Sequence, residues 1–303
     1  FVLPRMMPGD PVSRMVARLQ GEIRPDQIET LRQSFGVDDA PIWEQYVRYL
    51  GQIARGDLGF SISRFPTPVT EVIKGQIGWT MLLGLTALLI AVVVGNLLGI
   101  VAAWRRGGVL DSYVPPFLIF IGSFPYFWLA MGALWVFGVT LGWFPVRHAY
   151  SVGAIPEFSA AFIADVAYHL VLPALTIVLV SIGGWMLGMR NTMISTNAED
   201  YIVMAEAKGL KSRRIMFRYA ARNALLPSVT AFGMSLGFIV GGALLTEVVF
   251  AYPGVGYQLL SAVQNLDYPL MQGLFLTITT AVLVVNFVVD IIYVRLDPRV
   301  RVH

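Results

Sequence analysis

Six cations crowd one short stretch, AEAKGLKSRRIMFRYAARNALLP, from Ala205 to Pro227: Lys208, Lys211, Arg213, Arg214, Arg218 and Arg222, against the single acid Glu206. A cluster of that kind attracts anionic surfaces and orients a partner; it makes and breaks no bonds. Groups that could do covalent chemistry are scarce elsewhere. His148, His169 and His303 are isolated, with no HExxH and no second ligand at helical spacing. The absence of cysteine removes disulfides, thiolate metal sites and a cysteine nucleophile. No GxSxG and no serine–lysine pair sets a nucleophile in an apolar run, and there is no GxxxxGKS/T loop to cradle phosphates. The expectation is a chain that is not an enzyme, binds no metal and holds no nucleotide of its own.

Ionisable residues inside apolar runs are costly and therefore informative. Asp290 and Asn286 share a helical face, and Asp290 lies about one turn from Arg295, which predicts a structural pairing near the interface. Glu247, just before FAYPGVG, either lines an outer vestibule or sits among headgroups. Pro125, followed by Phe127 and Trp128 in GSFPYFWLA, and Pro173 in HLVLPALT interrupt the backbone ladder inside spans. Each marks a kink or the lining of a water-filled pathway, because freed carbonyls at that depth need protein or water. Pro125, Phe127, Trp128 and Glu247 are the pathway or gate candidates.

The elements that must carry these residues are membrane helices. The 303 residues are 56% hydrophobic and only 14% charged, with a mean hydropathy of +0.66, and several apolar runs exceed the roughly 20 residues that cross a bilayer. Five spans are predicted, at 79–104, 114–140, 169–189, 225–250 and 273–295. Arg105, Arg106, the cations of 190–224, and Arg295, Arg299 and Arg301 fall on one side, whereas the short loops 141–168 and 251–272 hold only Arg147. By the positive-inside rule the 190–224 loop and the tail 296–303 are cytoplasmic, and residues 1–78 lie outside. The opening FVLPRMMPGDP then reads as the outer end of a first span, for six in all. The outer segment reads as short helices: stripes at Val12, Met15, Val16 and Leu19, at Ile28, Leu31 and Phe35, and at Ile42, Tyr46, Leu50 and Ile53, with stops at Gly21, Gly36 and Gly56. Thr67–Pro68 starts a further short amphipathic elbow helix before the span. Gly95-x-x-x-Gly99, Gly184-x-x-x-Gly188 and Gly233-x-x-x-Gly237-x-x-x-Gly241 predict close helix contacts. The net charge of +3 makes no case for nucleic acid.

The basic loop reads as helix, break, helix. DYIVMAEAK is helical and stops at Gly209; a second helix, capped by Ser212, runs to Pro227, with Ile215, Met216 and Tyr219 on one face and Arg214, Arg218 and Arg222 on another. Contact with anionic lipid would account for the charge alone. It does not account for a small-residue turn set on a two-helix projection, which suits a rigid plug for a groove on a cytoplasmic partner.

Asp200, Tyr201, Ala205, Ala207, Lys208, Gly209, Leu210 and the run Arg222 to Pro227 resemble the signature loop of type I ABC importer permeases in its peptide-importer form. MMPGDPV, RGDLGFSI, PVTEVI, SFPYFWLA, LGWFPV, LTEVVFAYPGVG, DYPLMQG and LDPRVR extend the resemblance, in order, along nearly the whole chain. The chain is similar to the dipeptide/oligopeptide permeases, in the subunit type usually encoded first of two. It departs from the generic motif at Val203, where the opening glutamate would fall, and Glu206 occupies a different slot. The resemblance implies an all-α polytopic fold in a bacterial inner membrane and a central pathway shared with a homologous second permease. It further implies one or two separate ATPase subunits that bind ATP and magnesium, and an extracytoplasmic peptide-binding protein. In that reading Asp200, Tyr201, Ala205, Glu206, Ala207, Lys208, Gly209, Leu210, Arg214 and Arg218 couple the chain to the ATPases. Related importers carry nickel chelates, haem or glutathione, so those cargoes stay open. A secondary transporter, which would need an acid–base pair at mid-membrane, is the more distant alternative.

Overall fold

The computed structural model of the chain describes residues 1–9, 35 and 40–296. The stripes expected at 12–19 and 28–31, the stops at Gly21 and Gly36 and the tail from 297 lie outside them. The named elements among the described residues are all helices: α1 (Val2–Arg5), α2 (Ile42–Ala54), α3 (Val69–Trp104), α4 (Val109–Gly122) and α5 (Tyr126–Ala133), which continues as a π-helix over Leu134–Thr140. Next come α6 (Ala160–Thr196), α7 (Asp200–Ala207), α8 (Ser212–Arg214), a second π-helix (Ile215–Ala220) and α9 (Ala221–Ala224). The chain goes on through α10 (Leu226–Gly242), α11 (Leu244–Val249), α12 (Val255–Gln264) and α13 (Tyr268–Leu296).

Among the described residues, α3, α6 and α13 over Tyr268–Val289 are long and apolar enough to cross a membrane, and α4 with Tyr126–Thr140 makes a fourth if a pair bent by 95° counts as one span. The 114–140 run, continuous in hydropathy, is therefore divided at Ser123–Pro125. Pro125 has extended ψ and caps α5, as a residue with no N–H to give does at a helix start. Pro173, by contrast, lies buried within an unbroken α6, where the Thr176 hydroxyl donates to its carbonyl at 2.7 Å. The 225–250 run is likewise interrupted, at Ala243, after the pair Gly241–Gly242, where helix propensity is lowest. The separate elbow helix expected after Pro68 is instead the first part of the 36-residue α3, since nothing between Val69 and Trp79 breaks it.

The chain forms two compact units, one of Phe1–Thr80 with Pro253–Ala281 and the other of Met81–Tyr252 with Val282–His303. In the first, the buried Asp267 carboxylate gathers donors from both segments. Ser61 Oγ donates to it at 2.5 Å, Ser63 N–H at 2.9 Å, Ser63 Oγ at 2.7 Å and Leu270 N–H at 3.2 Å. Thr80 Oγ1 accepts the Val255 N–H at 2.8 Å.

In the second unit small residues bring helices together, as expected where lipid supplies no hydrophobic drive. A Cβ on Gly99 would lie 2.5 Å from the Met186 carbonyl oxygen, and one on Gly95 2.6 Å from Trp185 Cβ, so α3 rests directly on α6. Gly237 faces Asn286 and Gly233 faces Val289, which seats α10 on α13. Ser228 Oγ donates to Asn96 Oδ1 at 2.9 Å between α10 and α3. Gly184 and Gly188 differ: a Cβ on either meets nothing within 4 Å. That glycine pair therefore makes no close contact among the described residues. The side chains of Asp290 and Arg295, read as a pair, lie outside the described residues.

Gly99→Val should abolish monodisperse, folded protein in detergent, because the added carbons collide with α6 backbone. Gly188→Ala should leave the melting temperature of the purified chain within a degree or two of wild type.

Candidate functional site

The loop between α6 and α10 is built on buried small residues. In α7, Ile202 and Ala205 turn inward, while Asp200, Glu206, Ala207, Lys208 and Gly209 are exposed. Asp200 occupies the first turn, where the helix dipole favours an acid. The helix ends in a Schellman motif: Gly209 N–H donates to Glu206 O at 2.8 Å and Leu210 N–H to Ala205 O at 3.3 Å. Gly209 has φ +70, a backbone conformation that costs other residues about 1–2 kcal/mol. The stop expected at Gly209 is thus present with its hydrogen bonds.

Ser212 is the first residue of α8 rather than its cap, and its Oγ accepts the Trp104 indole N–H at 2.9 Å, tying the loop to the end of α3. The π-helix at Ile215–Ala220 holds an extra residue in its turn and rotates everything after it. The inward face therefore becomes Ile215, Ala220, Ala221 and Ala224, with Met216 and Tyr219 only half-buried. These residues pack with Ile202 and Ala205 against Ile100 and Ala103 of α3 and Met189 and Met193 of α6. Ala205 and Leu210, expected to face a partner, face this core instead, because the Schellman turn folds Leu210 back over Ala205.

Arg214, Arg218 and Arg222 still share one side. With Tyr201, Tyr219 and Asn223 they line an open depression of about 540 Å³. Asn223 Nδ2 donates to Tyr201 Oη at 2.9 Å, which locks the second helix to the start of α7. Lys211, Arg213 and Phe217 extend the same basic surface. No cation from Lys208 to Arg222 forms an ion pair among the described residues. Arg190, by contrast, pairs with Asp111, whose other oxygen accepts the Gly107 N–H at 2.9 Å. Hydropathy patterns gave no sign of that pair, since it joins residues 79 positions apart.

The pathway candidates are placed separately. Pro125 is exposed at the bend before α5, and in the first turn of that helix Trp128 is exposed and Phe127 half-buried. Glu247 lies in α11, which packs on α5, and it is fully buried. Both wet settings expected for Glu247 are therefore corrected. The chain turns back after α11, with Tyr252 N–H donating to Glu247 O at 2.8 Å, and buried Phe250 and Tyr252 close over the site. Burial and the Glu247 charge together hold the Tyr252 phenol well above its usual pKa. His169, also buried, has Nδ1 2.9 Å from the Asp165 carbonyl.

Residues 95–302 match the family described as the binding-protein-dependent transport system inner membrane component. The chain belongs to this family. Its membrane fold is that of the type I ABC importers. The chain is 34% identical to a di/tripeptide transport system permease protein of Pseudomonas aeruginosa and 34% identical to an oligopeptide transport system permease protein of Bacillus subtilis. It is 32% identical to a dipeptide transport system permease protein of Escherichia coli. Each alignment takes in 99% of this chain and 92% of the relative. A permease of this family is a multi-pass membrane protein and a transport component rather than an enzyme.

Ile215→Ala should cost about 2–4 kcal/mol by opening a cavity beneath the loop. The expected result is a clear drop in the unfolding temperature of the permease, with Arg218→Ala, exposed and unpaired, close to wild type.

Proposed function

We propose that this permease forms half of the pathway of a peptide importer, and that its basic loop docks on a separate ATPase subunit. The observation that carries the reading is the pairing of a rigid base with an unsatisfied surface. The loop's alanines are sealed onto α3 and α6, while its cations form no ion pair among the described residues and the α7 tip is exposed. The peptide cargo is supported by the names of the relatives. In this reading the docked element is Asp200, Tyr201, Glu206, Ala207, Lys208 and Gly209, flanked by Arg214 and Arg218. Ala205 and Leu210 hold it to the core.

The division of labour follows. The ATPases bind ATP and magnesium, a homologous permease supplies the other half of the pathway, and an extracytoplasmic binding protein delivers the peptide. The excess of basic residues supports a cytoplasmic position for the loop, on the side where the ATPases would act. When they close on ATP, a push on α7 reaches α3 and α6 through Ile202, Ala205 and Ile215, because a close-packed cluster transmits displacement. Trp128 and Phe127, beside the bend before α5, are placed to line or gate the pathway.

Gly209→Val removes the left-handed turn that shapes the tip. With ATPases and binding protein present in proteoliposomes, peptide uptake should fall at least about tenfold while ATP hydrolysis and membrane insertion persist. Wild-type uptake by this variant would overturn the docking assignment.

A further inference from the structure

Helix α2 is turned the opposite way from a helix on a water-soluble domain. Ile42, Tyr46, Leu50 and Ile53, flanked by Trp43 and Val47, occupy an arc of about 140° at 100° per residue. No residue of α2 is buried; Trp43 is 69% exposed and Val47 61%. The polar side is the one engaged with its own unit. Gln45, Arg48 and Gln52 line a small recess with Asp57 and Gln272, and Gln45 Oε1 accepts the Arg5 Nε–H at 2.9 Å. The apolar surface continues onto α1. The Phe1 ring meets Tyr46 edge-on with centroids 5.1 Å apart, and Val2 and Met6 are exposed.

Three observations say what covers this face. The compact unit that holds α2 also holds the beginnings of α3 and α13, both membrane-crossing helices, so it is anchored at a bilayer surface. Thirteen residues give about 20 Å of helix, too short to cross roughly 30 Å of hydrocarbon but suited to lying along it. The arc mixes aliphatic side chains with a tryptophan and a tyrosine, the residues that favour the headgroup boundary, and Arg48 and Arg55 lie to its polar side.

The structure assigns α2, we propose, to the bilayer interface: its apolar arc is a lipid-docking surface, with Ile42, Val47 and Leu50 among the upper acyl segments and Trp43 and Tyr46 at headgroup level. This goes beyond the transport reading and does not depend on it. A short helix held flat on the lipid fixes the height of its unit against the membrane through α1 and the recess beneath it.

The lack of cysteine makes the test direct. Val47→Cys and Leu50→Cys on the arc, and Glu44→Cys and Gly51→Cys beyond its polar edge, would each carry a nitroxide on the full chain in vesicles of phosphatidylethanolamine and phosphatidylglycerol. The ratio of oxygen to nickel-chelate accessibility should be severalfold higher at Val47 and Leu50 than at Glu44 and Gly51. Equal access of the nickel chelate to both sides would put the arc in water and overturn the proposal. Exclusion of both reagents from the arc would show a protein cover and overturn it equally.

Discussion

Four alanines set the terms for the rest of the molecule. Ala205, Ala220, Ala221 and Ala224 are all buried where the basic loop meets Ile100, Ala103, Met189 and Met193. A side chain no larger than a methyl lets the loop backbone come down onto α3 and α6, and the Trp104–Ser212 and Asn223–Tyr201 hydrogen bonds pin its two ends. The loop is consequently one body with the ends of two membrane helices. Its charges can then be spent wholly outward, since none is needed to hold it in place.

The membrane imposes the complementary constraint. Helices cannot be held together there by escaping water, so contact depends on how closely backbones approach. Gly95 and Gly99 bring α3 onto α6, and Gly233 and Gly237 bring α10 onto α13. The same α3 and α6 that support the loop are thus held close to each other where Gly95 and Gly99 meet Ile182–Arg190. A displacement at α7 has a continuous packed route into the spans. Breaks in the helical runs fall at Ser123–Pro125 and at Ala243.

Local rules were the most legible in the sequence. The stop at Gly209 could be read because only a residue tolerant of positive φ closes a Schellman turn, and the Gly95/Gly99 and Gly233/Gly237 contacts could be read from their spacing. Equal spacing at Gly184 and Gly188 meant something different, because what a glycine faces is decided by the neighbouring helix, not by its own run. The π-helix at Ile215–Ala220 has no comparable signature, and it moved the buried face from Tyr219 to Ala220 and Ala221. Hydropathy marked 114–140 and 225–250 as apolar but carried no information on continuity, so the 95° bend and the Ala243 break were invisible to it. Glu247 was misplaced for a related reason: its burial depends on how Phe250 and Tyr252 fold back, a tertiary event. Asp267, within the recognisable run DYPLMQG, turned out to gather Ser61 and Ser63, which no local pattern links to it.

The account stands or falls on what the α7 tip touches in the working membrane. A photo-activated cross-linker placed at Lys208, in cells making the intact transporter, measures this directly. The predicted result is one dominant adduct with a cytoplasmic ATPase subunit, whose yield changes when ATP is depleted. Adducts with lipid alone, or with a protein on the opposite side of the membrane, would contradict it.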